Sequence, residues 1–387
     1  MGTKSKYEYL ETIRPRYKSA SKQEKEKILD EFCSTCGYNR KYAIRILNSQ
    51  LQVNSPLTLS KRGRSKIYQE ELILVVLTDI WKATNLPCSK RLKAILPLWL
   101  PYYEKRPIPG DIFDKILNMS PATIDRLMAK DRAKFGKLGL STTKPGSLLK
   151  KHIPVKTDQW NENEPGFLEV DTVAHCGVSM AGMFVFTLNS VDIASQWTEQ
   201  RACWGKGEKG VLDQIKSIEE SLPFPLKGFD CDNGYEFLNW HLLRYLTGRK
   251  RPVDFSRSRP YQKNDNAHIE NKNWTHIRQY LGYQRFGNKD LVDLMNDLYQ
   301  NEWNLYFNFF MPSVKLLSKQ RIGSKTIKIY DKPKTPAQRL IDSNYISTDI
   351  KQKLRETRES LNPFQLEKQM KSKIRNIISM VNQQTNL

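Results

Sequence analysis

The sequence predicts an α/β protein: a mixed β-sheet core covered by helices, between a helical N-terminal part and a basic, mostly helical C-terminal part. Three observations predict it. Between residues 166 and 283, strand-like and helix-like segments follow in the order β-β-β-α-β-α-β-α. Before residue 140 the apolar residues recur only at helical spacing. Charge divides the chain the same way. Of its 387 residues and net charge of +22, residues 1–151 carry 30 Lys+Arg against 14 Asp+Glu. Residues 311–387 carry 16 against 6, whereas residues 152–310 carry 17 against 21.

Two basic flanks therefore surround a slightly acidic centre. Basic flanks suit a polyanion such as double-stranded DNA, for which cation contacts supply most of the non-specific affinity. An acidic centre in a DNA-handling chain needs another reason, and bound divalent metal is one. A hydrophobic fraction of 39% supports packed cores and argues against global disorder. No apolar run approaches the roughly 20 residues of a membrane helix. Residues 1–10 are polar and basic, so no secretory signal is expected, and the cytoplasm is the expected compartment. The six cysteines are scattered and read as reduced thiols. Cys33 and Cys36 form a lone C-x-x-C, and the first histidine is His152, so zinc is not expected.

The elements follow in order. Residues 24–33 read as a helix, 35–37 as a turn with Gly37, and 39–47 as a second, basic helix. There Tyr42, Ile46 and Leu47 form the apolar side and Arg40, Lys41 and Arg45 remain outside for DNA. This is the helix-turn-helix pattern, assigned to residues 1–60. Lys61, Arg62 and Arg64 follow in a short basic linker suited to a minor groove. Helices are expected at 68–82 and 89–99, and a second helix-turn-helix at 111–130, carrying Arg126. Ser120 and Pro121 offer its N-cap and first helical residue. These make a second DNA-binding region, 61–140, followed by a linker at 141–165. The core spans 166–287, with strands at 166–174, 183–188, 195–204, 226–231 and 252–255. Helices lie at 207–221, 235–246 and 264–283. The basic C-terminal region, 288–387, begins with an aromatic-rich helix at 289–308. Short strands at 321–330 and a helix capped by Thr335-Pro336 come after it.

Three carboxylates stand at informative places. Asp171 lies inside the first strand, Asp232 just after the fourth, and Glu270 on the helix that follows the fifth. Strand ends and a helix packed on the sheet bring such residues together. Converging carboxylates repel unless cations bind, and hard oxygen ligands favour Mg²⁺ or Mn²⁺. Two such ions about 3.5–4 Å apart activate an attacking oxygen and stabilise the leaving one in phosphodiester chemistry. Each residue has a competitor. Glu169 shares the face of Asp171 by strand alternation. Asp230 precedes Asp232 and is expected on the opposite face. Asp265 reads as the N-cap of the Glu270 helix. Asn266, Asn273 and Trp274 share the helix face of Glu270.

Three runs carry a resemblance: Leu168-Glu169-Val170-Asp171-Thr172, Asp232-Asn233-Gly234-Tyr235-Glu236-Phe237, and the run from Arg259 to Glu270. With 60 residues between the two aspartates and 37 between Asp232 and Glu270, the chain resembles DDE transposases and retroviral-type integrases with an RNase H-like catalytic core. The likeness is greatest to transposases of prokaryotic insertion sequences. It implies a catalytic triad of Asp171, Asp232 and Glu270 that holds Mg²⁺ or Mn²⁺. It also implies nicking at the element's terminal inverted repeats, strand transfer into target DNA, and a homo-oligomer that pairs two ends. By motif, Asn273 and Arg278 are expected to approach DNA, with His175 and His268 as further candidates for a phosphate. The second gap is slightly longer than the family's usual spacing, and no His/Cys zinc unit precedes the core. Two other readings fit the residues: a catalytically silent DNA-binding regulator, and an RNase H-like nuclease that cuts without joining.

Overall fold

A computed structural model of the chain describes residues 2–49, 67–68, 70–134, 163–231, 234–257, 267–322 and 325–385. It divides into two compact units, Met1–Ile67 and Tyr68–Leu387.

The first unit is three helices: α1 (Thr3–Ser19), α2 (Lys22–Cys36) and α3 (Arg40–Asn48). α1 is not foreseen from sequence. Pro15 sits in its interior and reads as a breaker, yet Leu10, Ile13 and Tyr17 are buried there. α2 opens on a capping box between Ser21 and Glu24, and ends at Gly37, whose φ of +65° closes the turn. Asn39 caps α3 by accepting from the Lys41 amide at 3.0 Å. The buried residues of α3 are Ala43 and Leu47. Tyr42, expected on the apolar side, is exposed instead, because the face that packs against Phe32 and Leu29 is centred one residue later.

The second unit is built on a five-stranded sheet: β1 (Phe167–Ala174), β2 (Val185–Asp192), β3 (Thr198–Trp204), β4 (Gly228–Cys231) and β5 (Asp254–Arg257). Their order across the sheet is β3-β2-β1-β4-β5. β1, β2 and β3 pair antiparallel, whereas β4 is parallel to β1 and β5 parallel to β4. This order and these directions are those of an RNase H-like sheet. Asp192 pins its start: it accepts from the Gly166 amide at 2.8 Å and from the Ser195 amide at 2.7 Å, joining the β2–β3 turn to the entry of β1.

The two faces of the sheet differ in chemistry. Leu168, Val170 and Phe229 meet Ile215 and Ile218 of α8 (Glu208–Ser221). The opposite face carries Glu169 and Asp171 on β1. Register places Asn189 of β2 beside Asp171, Gln200 of β3 beside Asn189, and Asp230 of β4 beside Glu169. α9 (Trp240–Thr247) packs on α8, and the polar face is covered by α10 (Ala267–Lys272), which runs on through a π-helical stretch, Asn273–Arg278, and a last turn, Gln279–Leu281. Of the helix expected over 264–283, residues 267–281 are thus helical but not uniformly α-helical, and residues 264–266 lie outside the described residues. A second broken helix, Leu291–Leu298, Tyr299–Trp303 and Asn304–Phe310, packs beside it.

The helices at α4 (Glu71–Ala83), α5 (Ser89–Trp99), α6 (Gly110–Asn118) and α7 (Pro121–Lys134) share this unit's hydrophobic core. Trp99 packs edge-on to Tyr306 at 6.0 Å and Phe364 at 4.7 Å, and its indole donates to the Phe310 carbonyl. Ser120 caps α7 by accepting from the Thr123 amide at 3.2 Å. After the core, β6 (Leu316–Ile322) and β7 (Lys325–Tyr330) form a separate hairpin. The helices Pro336–Asp342, Thr348–Ser360 and Pro363–Thr385 follow it. No helix among the described residues is long and apolar enough to cross a membrane.

Candidate active site

The site lies on the polar face of the sheet, beneath α10. Asp171 stands in the central strand. Its Oδ1 accepts from the Thr172 amide and its Oδ2 from Asn273 Nδ2, both at 2.7 Å. Asn273 is three residues after Glu270, so the helix face they share is turned toward Asp171. Glu270 itself is exposed. Asp232 lies outside the described residues. β4 ends immediately before it at Cys231, the register partner of Val170, and Val170 is the residue before Asp171.

Glu169 is 2% exposed. Its Oε2 accepts from the His268 and Ile269 amides at 3.1 and 3.0 Å, which fastens the first turn of α10 to the sheet. These are backbone donors that a helix start leaves unsatisfied. Burial pushes the Glu169 carboxyl up to about 8; the negative charges of Asp230 and Glu270 push the same way, against the two amides. Carboxylates therefore crowd this edge of the sheet. Asp230, expected on the other face, is on the Glu169 face, because their strands are parallel and the two are register partners. It accepts from Ser256 Oγ at 2.5 Å and is buried.

The donor set is carboxylate oxygen, which fits a hard divalent cation and not a soft one. Among the described residues no group of three His, Cys, Asp or Glu side chains is disposed to hold a metal ion. Asp171 and Glu270 are two of the three expected ligands, and the third is Asp232.

Two further arrangements shape the site. Asn273 spends its amide on Asp171 and on Asn189, whose Nδ2 donates to Asn273 Oδ1 at 2.7 Å. Gln200 Nε2 donates to Asn189 Oδ1 at 2.8 Å. On the other side of β1, Glu236 is buried, pairs with Lys206, and accepts from Thr172 Oγ1 at 3.2 Å. Gly234 makes room for it: a Cβ there would stand 2.5 Å from Glu236 Oε2. The spacing from Gly234 to Glu236 is thus a packing requirement.

The other expected contacts fall as follows. Arg278 donates to the Ala174 carbonyl at 2.7 Å and lies over the Tyr283 ring, so it ties the end of β1 to the end of the helix. His175 is fully buried, donor or acceptor to Thr187 Oγ1 at 2.8 Å and stacked on Phe286, out of reach of a phosphate. His268 is held near Gln196, and burial, then Lys315 and Lys272, push its imidazole down to about 4. Arg40 pairs with Asp30, Arg45 lies over the Tyr42 ring, and Lys41 is exposed. Arg126 is exposed on α7 with a bond to Thr123. Lys61, Arg62 and Arg64 lie outside the described residues. The sequence reading missed Asn189, Gln200 and the docking role of Glu169. The signal was present: uncharged amides inside strands whose other residues are fit for burial.

No known protein-family profile matches the chain. It is 36% identical over 341 residues to uncharacterized protein y4rM of Sinorhizobium fredii (strain NBRC 101917 / NGR234), across 86% of this chain and 94% of that protein. The chain belongs to the same family as y4rM. Among solved structures, the catalytic core domain of BIV integrase is similar at 13% identity and a TM-score of 0.24, over 30% of this chain and 68% of that one. A simian T-cell lymphotropic virus intasome in complex with PP2A regulatory subunit B56 gamma is similar at 14% identity and a TM-score of 0.29, over 43% of this chain and 54% of that one.

Proposed function

We propose that this y4rM-family chain is a DNA strand transferase of the transposase and integrase kind, acting at the ends of a mobile element. The observation that carries the reading is the placement of Asp171. It stands in the central strand of an RNase H-like sheet, with the Glu270 helix tied across it by Asn273 and with β4 ending one residue short of Asp232. The two basic flanks support DNA as the partner; the cytoplasm as the compartment and a homo-oligomer that pairs two ends belong to the same proposal.

In this reading Asp171, Asp232 and Glu270 hold Mg²⁺ or Mn²⁺, two ions in all. When bound, the ions polarise the attacking oxygen and stabilise the leaving one. The chain's own residues do the rest. Asn273 and the Thr172 amide orient the Asp171 carboxylate. Glu169 holds α10 in place, so that Glu270 faces the same ground. No side-chain nucleophile is needed, because water and then a DNA 3′ hydroxyl attack the phosphodiester. α3, and the α6–α7 pair with exposed Arg126, supply DNA contacts.

The test uses the full chain and duplexes taken from the DNA flanking its gene. Asp171→Asn, Asp232→Asn and Glu270→Gln should each reduce cleavage and strand transfer at least about 100-fold, with end binding unchanged. Any one of them retaining normal strand transfer removes that residue from the site.

A further inference from the structure

One rung of the sheet runs from Gln200 through Asn189 to Asp171, each the register partner of the next. The side chains of the first two are fully buried. Asn273 of the overlying helix closes the path. Gln200 Nε2 donates to Asn189 Oδ1 at 2.8 Å, Asn189 Nδ2 to Asn273 Oδ1 at 2.7 Å, and Asn273 Nδ2 to Asp171 Oδ2 at 2.7 Å. Every amide gives its NH₂ in the direction of Asp171.

That direction is set by chemistry. An ionised carboxylate only accepts, so Asn273 must present its NH₂ to Asp171. Its oxygen then faces Asn189, which must also donate, and its own oxygen faces Gln200, which must donate in turn. The chain ends with Gln200 Oε1, buried and without a partner among the described residues. An orphaned buried carbonyl is costly, and a side chain without a carbonyl would avoid that cost.

The geometry points to Asn189 and Gln200 as positioning residues for the Asp171 carboxylate: a directed amide relay holds Asn273 on its Oδ2 and so fixes the orientation of the carboxylate. This rests on the reading of Asp171 as a metal-holding carboxylate. Asn189 and Gln200 touch no substrate. They act through Asn273, whose Oδ1 they hold in place while its Nδ2 stays on Asp171. Partners that orient a metal ligand typically change metal affinity or activity about 10–100-fold when lost.

The experiment measures Mn²⁺ binding to the full chain by the electron paramagnetic resonance of free Mn²⁺, without DNA, alongside strand cleavage and DNA affinity. The variants are Asn189→Leu and Gln200→Met, which keep shape and remove the donor, with Asp171→Asn as the reference. Gln200→Met exchanges one orphaned oxygen for another, that of Asn189, so its thermal melting should stay near wild type. The expected result is Mn²⁺ affinity weakened about 10–100-fold in Asn189→Leu and several-fold in Gln200→Met, with cleavage reduced in step and DNA affinity unchanged. If Asp171→Asn abolishes Mn²⁺ binding while folded Gln200→Met and Asn189→Leu bind as wild type, the relay is overturned and the metal reading stands. If Asp171→Asn itself binds Mn²⁺ normally, the metal reading fails and the relay with it. Should Asn189→Leu not fold, Gln200→Met decides alone.

Discussion

His175 illustrates what burial does to single residues in this core. Its ring is fully enclosed, stacked 4.5 Å from Phe286, with Nε2 on Thr187 and Nδ1 lacking a partner among the described residues. Burial, and then the charge of Arg278, push its imidazole down to about 3. In the unfolded chain a histidine takes up its proton near pH 6.5. Below that pH the unfolded state binds a proton that the folded state refuses. Stability is therefore lost as pH falls from about 6.5 toward 3, by about 1.4 kcal/mol per pH unit. Glu199 works in the opposite sense. Burial pushes its carboxyl up, against the charge of Arg201 and the hydrogen bonds that Trp197, Arg201 and Asn304 donate to it. A variant compared with wild type isolates one group. Urea unfolding of His175→Gln between pH 6 and 5 should show a slope shallower than wild type by about 1.4 kcal/mol per pH unit. Equal slopes would mean that the folded core accepts a charged His175.

At the scale of elements, the site depends on how β1 enters the sheet and how α10 lies on it. Gly166 stands just before β1 with φ +122°, and its carbonyl accepts from the Lys227 and Gly228 amides at 2.8 and 3.0 Å, which joins the entry of β1 to that of β4. A Cβ there would stand 2.6 Å from the Pro225 carbonyl oxygen. Gly166→Ala should therefore cost about 1–3 kcal/mol, from backbone strain and the displaced 225–227 segment. A loss below about 0.5 kcal/mol in urea unfolding would show that the β1–β4 entry relaxes freely. The helix above carries its own irregularity. Sequence periodicity anticipates one regular helix over 264–283, whereas Asn273–Arg278 is π-helical. The stretch begins at the residue that bridges Asp171 and Asn189. Such widened turns recur at functional sites because they re-aim side chains within a helix.

At the scale of the molecule, the core is larger than the strand-and-helix pattern suggests. α4–α7 read from sequence as a second DNA-binding region, yet they share one hydrophobic core with the sheet and the C-terminal helices. The first unit has a core of its own, centred on Phe32, Leu47 and Ala43. A fragment of residues 1–67 should thus unfold cooperatively by itself, with the modest stability of a small domain, and residues 68–387 should do so separately. A fragment beginning at 163 leaves Tyr306, Phe310 and Phe364 without Trp99, and should lose its cooperative melt or aggregate. If that fragment melted within a few degrees of 68–387, α4–α7 would be an independent attachment and not part of the core.

Local chemistry by itself determined the elements and two of the three expected ligands' positions. Short strand-like runs, one of them continuously apolar, marked all five strands, and helical spacing marked the helix of Glu270. Capping residues such as Ser120 and Thr335 marked helix starts, because caps act within a few residues and are written in the chain. α1 escaped because an interior proline outweighed a weak apolar pattern. What only tertiary structure decided is what meets across the sheet. Asp230 shares the face of Glu169 because a parallel partner strand places it there. Asn189 and Gln200 line up with Asp171 through two registers, and Asn273 reaches them from a helix far along the chain. Pairing register and helix docking depend on contacts between positions 11 to 102 residues apart, and no local periodicity encodes them.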